Sequence, residues 1–598
     1  MSEYVFLGIL LLAALYLFWS QRLRPDVTAF LVMLALIVPW PHPGGEWRGV
    51  LTYEQGFSGF GSAAVLMIAS MFIMGSAMVQ TGAAEVLGLG ALRRVAGREW
   101  SLQMAVLTLA TVMSMFINDT TVVVILLPLL LNLCREFNLP PSRYLLLAAY
   151  GALMGGQWTL IGTRSNILLS DFLRQRTDAG IGFFDFTPNA AAVFLVAAAF
   201  VFFIGRHWLP AHEPEQGPEA VTRFLTEIVV AEGSSAVGRK IRELDLFRNR
   251  QLRIVAVIRD GRRQVRSAPL AAGDMILIRG TADQIGRFVK SSDFEVQEQT
   301  KLTRAFLAKV DLVTVEAMVS PSSYFVGATL EDIALSDRYG VTVLGMERRG
   351  HWLTERLTET RLMHGDALLL LGSADDVERL GRSRDLILLQ EHAFPAVGQA
   401  KALILLGLMA GVIVLSVGGL MAAAISIPLA AALAILFGCI SVRSAYAAID
   451  WPTLVILGGM IPFGIALEES GAASAIATLA VQHPSASGAT PIVFLAALLL
   501  AAVVLTQMIE NAAVAIIVAP IAFQVAELAD LDAKAVMIPL AVCISAGFAT
   551  PVAHEATILV MGPGEYRFKH YLLLGGVLAI ITWLVTLIVT PLVWPLAG

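Results

Sequence analysis

A polytopic α-helical membrane protein, made of two inverted repeats with two small α+β domains inserted between them, is the fold class the sequence predicts. Three observations predict it. The chain of 598 residues is 57% apolar and only 15% charged, with a mean hydropathy of +0.73, a balance foreign to soluble proteins of this size. Apolar runs stop near residue 209, polar alternating sequence fills 211–395, and apolar runs resume near 400. The two apolar parts also match each other at a nearly constant offset.

The runs 4–19, 190–205, 402–421 and 571–594 are each long enough to cross ~30 Å of hydrocarbon as helices. The first lacks a cleavage-site pattern and runs straight into "QRLRPD", so it is read as a retained helix rather than a removed signal peptide. The stretches 102–134 and 491–525 are too long for one upright helix, and each is broken by a polar segment, "FINDTTVV" (116–123) and "QMIENAAVA" (507–515). Both are read as re-entrant hairpins with tips near the midplane, where irregular backbone survives only inside protein or beside water. Short-loop charges then orient the chain. With loops 21–26, 93–100, 135–143, 206, 441–449 and 563–570 on one side, that side holds Arg22, Arg24, Arg93, Arg94, Arg98, Arg135, Arg143, Arg206, Arg443, Arg567 and Lys569. The other holds Arg48, Arg174, Arg176 and Lys534. The excess makes the first side cytoplasmic, places the insert there, and predicts a multi-pass protein of the inner or plasma membrane.

"TGAAEVLG" (81–88) answers "SGAASAIA" (470–477) at an offset of 389, Asp119 and Pro128 answer Asn511 and Pro520 at 392, and Thr159 to Leu168 answer Thr550 to Leu559 at 391. Because the loop charges put the two hairpins on opposite sides, the repeats are inverted, a plan of secondary transporters that places the site at the repeat interface. The insert repeats as well: 225–280 matches 312–372, with Gly238 over Gly327, Arg259 over Arg348, and Gly273-Asp274 over Gly365-Asp366. The resulting division is 1–210, 211–300, 301–395 and 396–598.

Four charged groups interrupt the apolar runs at the tips and breaks: Asp119, Arg164, Glu510 and Glu555. Each costs roughly 2.5–3.5 kcal/mol at mid-bilayer, so such groups face a cavity and pair. One cation cannot neutralise three carboxylates, so at least one is protonated or holds a cation. Half-helix N-termini at the breaks offer N–H groups to an anion, and bare carbonyls there suit Na+. Thr120, Thr121, Thr163 and Ser165 add hydroxyls. Two readings of Arg164 stand side by side: a charge-assisted contact to an oxyanion, or a structural ion pair that ties the repeats together. His554 is likewise a proton-relay member or a hydrogen-bonded structural residue, and the tips are binding positions or merely capped helix breaks. Met71, Met74 and Met78 are read as packing, Gly155 and Gly156 as sites of close helix approach, and Cys134, Cys439 and Cys543 as small core residues.

Taken together, "GFSGFGSAAVLMIASMFIMGSAMVQTGAAEVLG" (56–88), "NDTTVVVILLPLL" (118–130) and "GGQWTLIGTRSNILL" (155–169) resemble the divalent anion/Na+ symporter (DASS) family of the ion-transporter superfamily. The insert is similar to paired TrkA C-terminal (RCK-C) domains. The resemblance covers nearly the whole chain. It implies cation-coupled symport of a small anion of the sulfate or dicarboxylate class, by elevator-type alternating access, in a homodimer. It requires no cofactor beyond Na+ or H+ as coupling ion, and it implies a small-molecule or nucleotide ligand on the RCK-C-like domains. Carried over by position, the tip motifs fall on Asn118-Asp119-Thr120 and Glu510-Asn511-Ala512, and the breaks on Gly162-Thr163 with Asn166 and Ala553-His554 with Thr557. The expected substrate positions are Asn118, Asp119, Thr120, Thr163, Arg164, Asn166, Glu510, Asn511, Ala512, His554 and Glu555, and the expected Na+ ligands Asp119, Gly162, Asn511 and Ala553. The chain departs from the family pattern where Asp119 replaces an amide, where Glu510 and Ala512 replace hydroxyls, and where Arg164, His554 and Glu555 are added.

A net charge of −5 argues for no nucleic-acid partner. No "TVGYG"-type filter supports an RCK-gated channel, and no Ser-His-Asp spacing, His-Glu-x-x-His or phosphate loop supports an enzyme. No Gly-x-Gly-x-x-Gly unit in 211–395 supports a dinucleotide-binding half. An arsenite-type or Na+/H+ exchange member of the superfamily stays as the alternative, since a carboxylate at the tip is less foreign there.

Overall fold

The computed structural model describes residues 3–596 except 21, 42–46, 84–97 other than 92 and 95, 138, 178–179, 483–490 and, between 212 and 398, most of the chain outside the strands, turns and short helices. Arg93, Arg94, most of "TGAAEVLG" and the side chains of Arg135 and Arg259 lie outside the described residues.

Before the insert the helices are α1 (Glu3–Ser20), α2 (Pro25–Ile37), α3 (Tyr53–Ser58), α4 (Ala63–Gln80), α5 (Glu99–Ser114), α6 (Asp119–Glu136), α7 (Leu145–Gly156), α8 (Arg164–Thr177) and α9 (Thr187–Phe203). After it come α10 (Gln399–Val417), α11 (Ala423–Leu436), α12 (Val442–Ala448), α13 (Trp451–Glu469), α14 (Ala472–Gln482), α15 (Pro491–Thr506), α16 (Asn511–Leu528), α17 (Ala533–Ile544), α18 (Glu555–Met561) and α19 (Gly576–Val593). The same order of long, short and broken helices occurs twice. α5 and α6 begin at 99 and 119, α15 and α16 at 491 and 511, which is 392 positions later in both cases.

Five helical stretches among the described residues are long and apolar enough to cross a membrane: Tyr53–Gln80, Ala400–Val417, Trp451–Glu469, Asn511–Leu528 and Phe568–Val593. The chain is a multi-pass membrane protein. The two expected hairpins are present as helix pairs, α5 and α6 turning at 115–118, α15 and α16 at 507–510. α16 has the length of a full span, so length alone does not separate a hairpin leg from a crossing helix.

Small residues let the helix backbones approach, as membrane packing requires. A Cβ on Gly155 would stand 2.2 Å from the Thr111 carbonyl oxygen, and one on Gly151 2.5 Å from that of Leu107. The Thr111 hydroxyl crosses the same α5–α7 seam to donate to the Gly151 carbonyl at 3.0 Å. Met71, Met74 and Met78 are buried packing residues, and the three cysteines are free and buried. The halves interleave: α2 lies on α13, where a Cβ at Gly459 would be 2.8 Å from the Ala29 carbonyl, and α9 lies on α19, where Asn189 donates to Thr590 Oγ1 at 3.2 Å.

The insert contains two five-stranded antiparallel sheets. One is formed by Phe224–Val230, Arg253–Arg259, Arg262–Arg263, Met275–Gly280 and Phe294–Val296; the other by Leu312–Val319, Thr342–Arg348, His351–Trp352, Ala367–Ser373 and Leu386–Leu388. In both, the strands lie in the spatial order third, second, fourth, first, fifth. The matched glycines explain themselves: Gly238 and Gly327 have φ of 82° and 85°, Gly273 and Gly365 of 83° and 80°, where a side chain is strained. The Gly-Asp turns are closed alike, Asp274 accepting from the Ala271 amide at 2.8 Å and Asp366 from the Met363 amide at 2.7 Å. Arg348 then clamps Asp366 with two contacts of 2.7 Å.

Candidate functional site

The two tips and the two helix breaks bring together buried polar groups, among them Asn118, Asp119, Gln157, Thr159, Asn511 and His554. Breaking a helix in an apolar setting leaves carbonyls that need donors, and the two halves of the chain supply them in the same way. Thr159, in the first break (157–163), donates to the Met115 carbonyl of the first tip at 2.5 Å. Thr550, in the second break (545–554), donates to the Gln507 carbonyl of the second tip at 2.7 Å. Asn166 donates back to the Gly156 and Thr159 carbonyls at 3.1 and 2.8 Å, and its counterpart Thr557 lies 3.0 and 2.6 Å from those of Pro551 and His554. Buried tyrosines satisfy further carbonyls nearby: Tyr150 donates to that of Phe548 in the second break, Tyr571 to that of Thr557 in α18, and Tyr566 to that of Ser142, ahead of α7.

α6, α8, α16 and α18 all begin at a tip or break, so four helix N-termini, each a positive dipole end, belong to this region. At the first tip Asn118 Oδ1 accepts from the Thr120 amide at 3.1 Å and thus caps α6. Glu510, at the corresponding place before α16, makes no such cap. Its carboxylate goes to Arg164 instead.

Arg164, 5% exposed, is the junction of the site. Its Nη1 donates to Glu510 Oε1 at 2.6 Å and to Thr453 Oγ1 at 3.0 Å. Its Nη2 lies 3.8 Å from Glu555 Oε1. The other oxygen of Glu555 accepts from the Thr120 hydroxyl at 3.1 Å. One continuous polar chain therefore joins the first tip, the second break, the first break and the second tip. Asp119, 2% exposed, faces His554 Nε2 at 3.1 Å. Because His554 Nδ1 accepts from the Ala556 amide at 3.2 Å, the proton of a neutral ring is assigned to Nε2, pointing at Asp119.

Of the residues expected from sequence, Thr120, Arg164, Glu510 and Glu555 are joined directly, and Asp119 is paired with His554. Asn118 acts as a helix cap. Thr163, in the first break, and Ala512, in the first turn of α16, are buried. The expected Na+ ligands fall on both tips and both breaks: Gly162 packs against Gly156, whereas Asn511 and Ala553 both border Gly547, at 3.6 and 3.2 Å from its Cβ position. Asn511 accepts from Thr506 at 2.5 Å, while its Nδ2 has no acceptor among the described residues. Ser114 Oγ, Asn166 Oδ1 and both amide atoms of Gln157 are also buried without a partner among the described residues. Sequence reasoning missed Asp450, Thr453, Ser114 and Gln157; for Gln157 the signal was an amide inside an apolar run.

A family model described as a citrate transporter, CitMHS, matches residues 15–535. The uncharacterized transporter YfbS of Escherichia coli (strain K12) is 29% identical, over 99% of this chain and 100% of that protein. The uncharacterized transporter sll0640 of Synechocystis is 27% identical, over 97% and 95%. Sodium/sulfate cotransporter 1 of Chlamydomonas reinhardtii is 24% identical, over 58% of this chain and 41% of its own length. Among solved structures, the YdaH transporter of Alcanivorax borkumensis matches 96% of this chain and 98% of its own at 12% identity and a TM-score of 0.44, too distant a likeness to argue from.

Proposed function

Because the chain belongs to the CitMHS citrate transporter family, we propose that it is a secondary active transporter of a small multiply charged anion of the sulfate, dicarboxylate or citrate class. The observation that carries this reading is Arg164, a buried guanidinium of the first half joined to Glu510 and Glu555 of the second. Next to its partner Glu510 stands Asn511, with a buried amide donor that finds no acceptor among the described residues. A dianion entering between the tips would take the Nη2 side of Arg164 and the Asn511 amide, while Na+ or H+ neutralises the carboxylates left behind. Asp119 and Asn511 with the Gly162 and Ala553 carbonyls are the proposed cation ligands. Transport then follows by movement of the hairpins and broken helices against the outer helices, in a homodimer held by the latter, with the cytoplasmic insert as a regulatory, ligand-binding part.

The test is uptake of labelled sulfate, succinate and citrate into proteoliposomes, with Na+ and H+ gradients imposed separately. Accumulation driven by one gradient names substrate and coupling ion together. The second reading, Na+/H+ exchange, is favoured by one observation, that Glu510 and Glu555 both approach a single arginine while Asp119 lies beside them with His554. Gradient-driven cation exchange with no anion accumulation would replace the anion reading by that one. Asn511→Asp replaces the open donor by an acceptor and adds a charge, so the anion KM is expected to rise by about tenfold or more, the loss of one hydrogen bond plus repulsion. An unchanged KM would remove Asn511 from the anion site.

A further inference from the structure

Arg164 is held in place from an element that carries neither tip nor break. Thr453 Oγ1 accepts from Arg164 Nη1 at 3.0 Å and donates to Asp450 Oδ2 at 2.8 Å. A threonine hydroxyl has one proton. With that proton directed to Asp450, only a lone pair faces the guanidinium, so Asp450 fixes the polarity of a hydroxyl that would otherwise be free to rotate and repel Arg164. Both residues are buried, Asp450 at 8% and Thr453 at 3% exposure, at the start of α13.

The contact has a fixed register. Twelve residues beyond Arg164 on α8, Arg176 forms a two-point ion pair with Glu468 near the end of α13, its guanidinium 3.5 Å over the Phe172 ring. The first residues of α8 meet the first residues of α13, and the last meet the last, so the two helices run in the same direction, clasped at both ends. Between the clasps they leave a cleft lined by Leu168, Phe172, Ile461, Gly464 and, from α16, Ile516 and Ala519.

We infer that Asp450 and Thr453 are positioning residues for the anion. Thr453, itself oriented by Asp450, and Glu510 occupy one terminal nitrogen of Arg164 and leave the other, Nη2, on the Glu555 side of the site, where Glu555 Oε1 is at 3.8 Å, beyond hydrogen-bond reach. An arginine without this clamp would still be charged, but its open edge would no longer be aimed. The inference rests on the reading of Arg164 as an anion ligand.

Three variants of the full chain test it: Thr453→Val, which removes the hydroxyl at nearly constant volume, Thr453→Ser, which keeps it, and Asp450→Asn, which leaves the threonine packing untouched. Uptake of the anion that the wild type accumulates is measured for KM and Vmax, and anion-dependent thermal stabilisation of the purified protein gives affinity without transport. Thr453→Val is expected to raise KM and the stabilising concentration by about tenfold, one directed hydrogen bond, with Vmax within about twofold; Asp450→Asn, whose amide oxygen still accepts the threonine proton but without the charge, is expected to raise both by a smaller factor. Thr453→Ser is expected to recover most of the affinity. A merely structural contact would lower melting temperature with KM unchanged, and that result overturns the inference. So does a lower KM in both variants, which would make the pair a competitor of the anion. Wild-type protein that shows neither uptake nor stabilisation with any anion would instead overturn the transport reading itself.

Discussion

Arg164→Gln is expected to abolish anion binding and uptake while leaving a folded, less stable protein. Two carboxylates, Glu510 and Glu555, flank the guanidinium, and removing it leaves both facing each other and any incoming anion. Removing one member of a buried ion pair costs about 3–5 kcal/mol; these two carboxylate side chains are about 30% exposed, so solvent screening brings the stability loss below that range. The functional loss is larger. A charge-assisted hydrogen bond contributes roughly 1.5–3 kcal/mol, about one to two decades of affinity, and two repelling carboxylates deepen it, so a fall of at least about a hundredfold is expected. Arg164→Lys keeps the charge but is a single point that cannot serve Glu510, Thr453 and an anion at once, and should fall between. Anion-dependent thermal shift, read beside uptake, separates the two roles of Arg164. Unchanged affinity with a lower melting temperature would show a structural ion pair.

Gly575→Ala should have the largest effect on folding. Gly575 ends a π-helical turn, Tyr571–Gly575, that leads into α19. A Cβ there would lie 1.9 Å from the Phe548 carbonyl oxygen, 2.4 Å from its carbon and 2.6 Å from Tyr150 Oη. The carbonyl is backbone, and Tyr150 is hydrogen-bonded to it at 3.0 Å, so neither can swing aside. The added methyl must displace the second break itself. Overpacking of this kind costs about 1–3 kcal/mol and more where backbone must move. Loss of the monodisperse peak in size-exclusion chromatography, or a melting temperature lowered by many degrees, is the expected result. Gly576→Ala is the control, because nothing stands within 4 Å of its Cβ position. Equal behaviour of the two variants would mean that the close approach at Gly575 does not constrain the fold.

Periodicity and composition make the helices, the polar tips and the two breaks legible, because charge and amide groups inside apolar runs are rare enough to stand out. The match of Thr159 with Thr550 is legible for a similar reason: their hydroxyls perform like tasks, one on the Met115 carbonyl and the other on that of Gln507. Partners are not legible. Asp119 and His554 are 435 positions apart, and nothing local to either says that they meet. Asp450 and Thr453 were hidden because they resemble an ordinary helix start, with Asp450 at the N-cap position of α13 and Thr453 in its first turn. The assignment of Asn118 as a cap and of Glu510 as an ion-pair partner also depended on tertiary placement, since both precede a helix in the same sequence position.

The interleaving of the halves has a consequence for how the chain is made. When a ribosome has delivered residue 210, α2 and α9 have been synthesised, but α13 and α19, on which they rest, have not. Translation of 212–398 comes first, at ~5–20 residues per second a delay of roughly 10–40 s. During that interval the Ala29 and Asn189 surfaces have only lipid or the insertion machinery to cover them. The polar Asn189, which in the finished protein donates to Thr590, is the part of the nascent chain least suited to wait in lipid, and a truncated product ending in the insert would present it to membrane quality control as an unfinished protein.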